Sequence, residues 1–67
     1  MLISAKEGKI TVNSEAEGQT VNAYTMDSKA LGSGVIRNGK ATIQTNQPSG
    51  ESFIVKAGTQ SVKMLMK

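Results

Sequence analysis

A chain of 67 residues has room for one domain. Near this size a fold buries only about 60% of the surface its unfolded chain exposes, so no large enclosed active site is expected. There is no cysteine and no histidine, which removes disulfides, thiolate chemistry, His-assisted serine chemistry and His-ligated zinc. The net charge of +3 comes from eight Lys and Arg against five acids, and it is spread thinly, at Lys6, Lys9, Lys29, Arg37, Lys40, Lys56, Lys63 and Lys67. Nucleic-acid recognition calls for a basic stripe interleaved with stacking rings, yet Tyr24 and Phe53 are the only aromatic residues, so no nucleic-acid partner is expected. The acids Glu7, Glu15, Glu17, Asp27 and Glu51 are scattered, with no pair spaced for acid–base work. Neither an enzyme nor a cofactor or metal site is expected.

In chain order, Leu2 to Ala5 is a weak strand signal, and residues 1–8 read as a loosely ordered edge. Lys9–Asn13 is a clearer strand, with Ile10 and Val12 on one face. A polar connection, Ser14 to Gly18, leads to Gln19–Thr25, where Val21, Ala23 and Thr25 alternate with Thr20, Asn22 and Tyr24. Asp27-Ser28-Lys29 is a turn by composition. Ala30–Ile36 follows, weakened by Gly32 and Gly34, which in a strand signal a bulge or a close backbone approach. Asn38-Gly39 suits the two positive φ angles of a type I′ turn, so Ala30–Ile36 and Lys40–Gln44 are expected to pair as a hairpin.

Thr45 to Glu51, with Pro48 and Ser49-Gly50, reads as a loop crossing between sheets. Phe53-Ile54-Val55 lies in a compact apolar strand, and a turn at Ala57-Gly58-Thr59 returns the chain into Ser61–Lys67. No segment sustains a period of 3.6, and no apolar run approaches the ~20 residues of a membrane-spanning helix. Met1–Ala5 is too short for a signal-peptide core, so export would need a segment upstream. The expected fold is all-β, a small immunoglobulin-like antiparallel sandwich of six to seven short strands. Its predicted core is Ile10, Val12, Val21, Ala23, Val35, Ile43, Phe53, Val55, Val62, Met64 and Met66.

The last strand draws attention because terminal residues usually fray. Its alternation puts Val62, Met64 and Met66 on one face and Lys63, Leu65 and Lys67 on the other. Two readings remain open here: an edge strand whose lysines discourage aggregation, and a segment that another protein recognises.

The order of pieces resembles a known family. Val21-Asn22-Ala23-Tyr24-Thr25-Met26, a polar turn with Lys29, a glycine-rich strand, a short hairpin, Pro48-Ser49-Gly50, Phe53-Ile54-Val55-Lys56 and Lys63-Met64-Leu65-Met66-Lys67 follow one another as in the C-terminal sorting domains of type IX secretion cargo from Bacteroidetes-type bacteria. The likeness covers roughly Gly8 to Lys67. Several positions depart from the family pattern. Thr25 stands where aspartate is usual, Ser28 where glycine is usual, and Phe53 in place of a tyrosine. Two residues, Glu51 and Ser52, separate Gly50 from Phe53 where the family has one, which implies a bulge or a shifted register. The family's Pro-Asn-Pro opening is missing, so the chain is expected to begin just inside the full domain.

The resemblance implies a domain without chemistry of its own, carried through the periplasm to the outer membrane and cell surface as the address label of a larger cargo. Its implied partners are the type IX translocon and sortase-like outer-membrane proteins, the latter removing the domain. The candidate recognition surface is Val62, Lys63, Met64, Leu65, Met66 and Lys67, with Gly50 and Gly58 shaping the adjoining loops. A homodimer through strand pairing is a further partner reading. The competing function is an immunoglobulin-like or fibronectin-like surface spacer or adhesion module, which would share the fold. Export and the fold are expected to separate on deletion of the last five residues, with most of the fold kept.

Overall fold

The computed structural model describes residues 1–67 and contains seven strands and no helix. They are β1 (Leu2–Lys6), β2 (Lys9–Asn13), β3 (Thr20–Thr25), β4 (Ala30–Val35), β5 (Lys40–Gln44), β6 (Ser52–Ala57) and β7 (Gln60–Leu65). One sheet is ordered β1-β2-β5 and the other β4-β3-β6-β7, with every pairing antiparallel. This is a small β-sandwich with an immunoglobulin-like strand order, the chain changing sheets after β2, β4 and β5.

The alternation of apolar residues explains which faces meet. Ile10 and Val12 of β2, Ala41 and Ile43 of β5, Val21 and Ala23 of β3, and Phe53, Val55 and Ala57 of β6 all turn inward and are buried. Ala5, Ile36 and Met66 complete the core. No buried side-chain polar atom lacks a hydrogen-bond partner.

Four differences from the sequence reading have clear causes. The Asn38-Gly39 turn does form, with φ of 54° and 79° and reciprocal backbone bonds between Arg37 and Lys40 of 2.9 and 3.1 Å. The strands it joins nevertheless do not pair: β4 bonds to β3 and β5 to β2, so the turn is a corner between sheets closed by a single bridge. Turn chemistry sets two φ angles and says nothing of how far the flanking strands run together.

Val35, expected in the core, is 37% exposed, and Ile36 is buried in its place. The inward positions of β4 are Gly32 and Gly34, which carry no hydropathy, so the alternation of this strand cannot be read from apolar residues. The close approach signalled by the glycines is present. A Cβ on Gly32 would lie 2.9 Å from Ile43 Cγ2, and one on Gly34 would lie 3.2 Å from the Thr42 carbonyl oxygen. The predicted core members Val62 and Met64 are only half-buried, because β7 is an edge strand. Residues 1–8, expected to be loosely ordered, form β1, paired to β2 from Leu2 to Lys6 and joined to it by Glu7-Gly8, both at positive φ.

Gly50 and Glu51 form a bulge opposite Met66. Gly50 (φ 92°) donates its N–H to the Met66 carbonyl at 2.8 Å, and Met66 donates to the Glu51 carbonyl at 2.9 Å. Two residues thus oppose one, with a left-handed glycine first, which is the G1 bulge. Beyond it, β6 and β7 keep continuous register from Ser52–Leu65 to Ala57–Gln60.

Candidate recognition edge

The candidate residues Val62 to Lys67 do not act as one displayed strip. Val62 and Met64 turn inward and are half-buried, Lys63, Leu65 and Lys67 are exposed, and Met66 is buried at 1% exposure. The expected division of this segment into an inner and an outer face is therefore present. Gly58 (φ 61°) takes the first central place of the β6–β7 turn, the type II′ position. Gly50 forms the bulge beside the other end of β7.

What the sequence reading missed is how firmly the end of this segment is held. Met66 enters the core, and its Sδ accepts the Gly8 N–H at 3.3 Å. Lys67 then leaves the plane of its own sheet and joins β1. Its N–H reaches the Ala5 carbonyl at 3.3 Å, and its carbonyl accepts the Glu7 N–H at 2.8 Å. These two bonds flank Lys6 in the slanted pattern of a parallel pair. Gly8 lies at the junction: it is buried, and its carbonyl accepts Thr45 N–H at 2.7 Å and Thr45 Oγ1 at 3.1 Å. A Cβ there would fall 2.7 Å from the Thr45 carbonyl oxygen, at φ 80°, so glycine is required. The expectation that deleting Lys63–Lys67 leaves most of the fold in place is at odds with this geometry, since the deletion removes Met66 from the core and the two Lys67 bonds beside β1. A sequence signal existed, because Met66 continues the inward alternation of Val62 and Met64.

The part of β7 left free is shorter than the candidate segment. Met66 bonds to Gly50 and Glu51, on the β6 side of the strand, so alternation turns the N–H and C=O groups of Ser61, Lys63 and Leu65 away from β6, toward the unpaired edge. Next to this edge, between β7 and β1, lies a cleft of about 330 Å³ lined by Ile3, Ser4, Ala5, Lys6, Met64, Leu65 and Lys67. On the outer face of the same sheet, Lys56 Nζ lies 5.4 Å from the centre of the Tyr24 ring, a cation–π contact across β3 and β6.

A larger depression, about 750 Å³, opens at the other end of the sandwich and includes Asn13, Ser14, Glu15, Gln19, Thr59 and Gln60. It gathers the Glu15 carboxylate with amides and hydroxyls, whereas the smaller cleft lies against the unpaired edge of β7 and is the candidate for recognition. No group of three or more acids stands close enough to hold a metal ion. No helix is long and apolar enough to cross a membrane.

No protein-family model, curated protein or solved structure matches this chain.

Proposed function

We propose that this domain is a sorting signal of type IX secretion cargo, delivering a larger protein across the outer membrane to the cell surface before a sortase-like peptidase removes it. The observation that carries the proposal is the open edge of β7, where Lys63 and Leu65 are exposed and the backbone groups of Ser61, Lys63 and Leu65 face outward. A translocon component adding a strand there gains affinity from backbone bonds and specificity from alternate side chains. The resemblance of the Gly8–Lys67 segment to such domains, and an immunoglobulin-like sandwich, agree with this reading. Met66 and Lys67 serve as the anchor that holds the edge in register, and Ser61–Leu65 as the part that is read.

The test is a periplasm-targeted fluorescent carrier fused to residues 1–67 in a type IX-competent bacterium, with Lys63→Glu/Leu65→Ser as the variant. Both side chains are exposed, so the variant keeps the fold, whereas a deletion would not. Surface fluorescence is expected to fall at least tenfold in the variant. Equal surface delivery by both removes the β7 edge as the part that is read, and no delivery by the unaltered domain removes the signal reading and leaves the spacer or adhesion module.

A further inference from the structure

We infer that the wedge between β1 and β7 is an acceptor for an extended peptide segment in which acidic and apolar residues alternate. This rests on the sorting reading only for the partner's biological identity; the chemistry of the cleft stands on its own.

Two sheet edges converge here. β1 ends one sheet and β7 the other, and they meet at Lys67, whose two bonds to Ala5 and Glu7 are the hydrogen bonds that join them. From that junction the edges run in the same direction and separate. Because Lys67 bonds to the odd-numbered residues of β1, Ile3 also turns its N–H and C=O toward the wedge, as Ala5 does its N–H. On the facing side stand the outward backbone groups of Ser61, Lys63 and Leu65. An extended segment entering from the Gln60 end therefore meets unpaired donors and acceptors on both flanks, and it must stop at Lys67.

Side chains select the occupant. The cleft presents apolar surface from half-buried Ile3 and Met64 and from Leu65, which is 52% exposed. Its charged lining consists of Lys6 and Lys67, and Lys63 stands on the adjoining edge. Apolar residues of the segment fill the floor while carboxylates meet the lysines, which also speeds encounter. A second copy of this chain fits less well. Two β7 edges paired antiparallel about Lys63 would bring the Lys63 side chains of the two copies together, in molecules that each carry a net charge of +3.

The experiment is a titration of the ¹⁵N-labelled 67-residue chain with a short capped peptide alternating valine and glutamate, followed by amide chemical shifts. Saturable shifts are expected at Ser61, Lys63, Leu65 and Ile3, absent for the same peptide with N-methylated backbone amides. Binding is expected to weaken at least tenfold in Lys6→Glu/Lys63→Glu, whose exposed positions leave the fold in place. The inference is overturned by no saturable shift, by equal shifts with the N-methylated peptide or a valine–lysine peptide, or by equal binding to the variant. Shifts that depend on protein concentration without peptide would instead identify a second copy as the occupant. Because the measurement involves no export, its failure and that of the sorting reading are distinguishable.

Discussion

One side of the sandwich is sealed and the other is left ajar, and different residues enforce each state. On the sealed side β4 lies against β5 although they belong to different sheets, and the contact is made through absent side chains: Gly32 and Gly34 let the backbones approach Ile43 and Thr42. On the open side β1 and β7 carry ordinary side chains, Ile3 and Met64 remain half-buried, and a cleft persists. The open side is nevertheless pinned at one point, where Met66 enters the core and Lys67 bonds to β1. A small domain with few buried residues keeps one edge accessible by concentrating the closure of that edge in a single residue pair.

The sharpest way to break the comparison is Met66→Ala. Met66 is 1% exposed, and truncating a buried methionine costs about 2–5 kcal/mol from lost burial and the cavity left behind. The Gly8 N–H also loses its sulfur acceptor. For a domain of this size about 3 kcal/mol lowers Tm by roughly 15 °C. Leu65→Ser, one residue away on the exposed face, is expected to change stability by no more than about 0.5 kcal/mol. Thermal melts of the two variants decide the matter: a similar loss in both would mean that the open side is held along the whole strand and that Met66 is no special anchor.

The sealed side is tested by Gly32→Ala, with a smaller expected effect. The new Cβ would sit 2.9 Å from Ile43 Cγ2, a branch with little freedom to move because Ile43 is buried in the core. Overpacking of this kind costs about 1–3 kcal/mol. Gly34→Ala is expected to cost less, its nearest contact being 3.2 Å. Urea midpoints for both measure this. If Gly32→Ala is neutral or stabilising, then β4 and β5 can separate freely, and the distinction between the two sides fails.

These same residues show how much was legible before the structure. Strand positions were readable wherever β-branched or aromatic residues alternate, as in Ile10/Val12, Val21/Ala23 and Phe53/Val55, and so was the sandwich they build. The bulge at Gly50–Glu51 was one of two alternatives that the resemblance implied, the other being a shifted register. The inner face of β4 was not readable, since glycines chosen for backbone approach leave no apolar pattern and Val35 then looks like core. The alanines at 5, 41 and 57 were missed because their burial depends on the opposing sheet. The candidate segment was located by alternation alone. Its division into a free part and an anchor was hidden, because β1 lies far away in the chain and the Lys67 bonds involve only backbone.

The smallest effect lies in the turn that delivers β3 into β4, and it has a defined sign. The Thr25 hydroxyl donates to the Asp27 carboxylate, while the Lys29 N–H donates to Thr25 Oγ1 at 3.0 Å, with Ser28 at φ 72° between them. The Thr25 hydroxyl is the main cause holding the Asp27 carboxyl below its ordinary value of 3.8; its own backbone N–H follows, and the Lys29 charge contributes least. A lowered folded-state value means that ionised Asp27 stabilises the fold above about pH 3.8 and that this contribution is lost as pH falls through the folded value. Asp27→Asn keeps an acceptor for Thr25 but cannot ionise. Its urea midpoint is therefore expected to lie slightly below that of the unaltered chain at neutral pH and to converge with it in acid. Solvent screens an exposed carboxylate, so the gap is small. A gap that widens toward acid would reverse the sign and show that charge on Asp27 opposes the turn that positions the sealed edge.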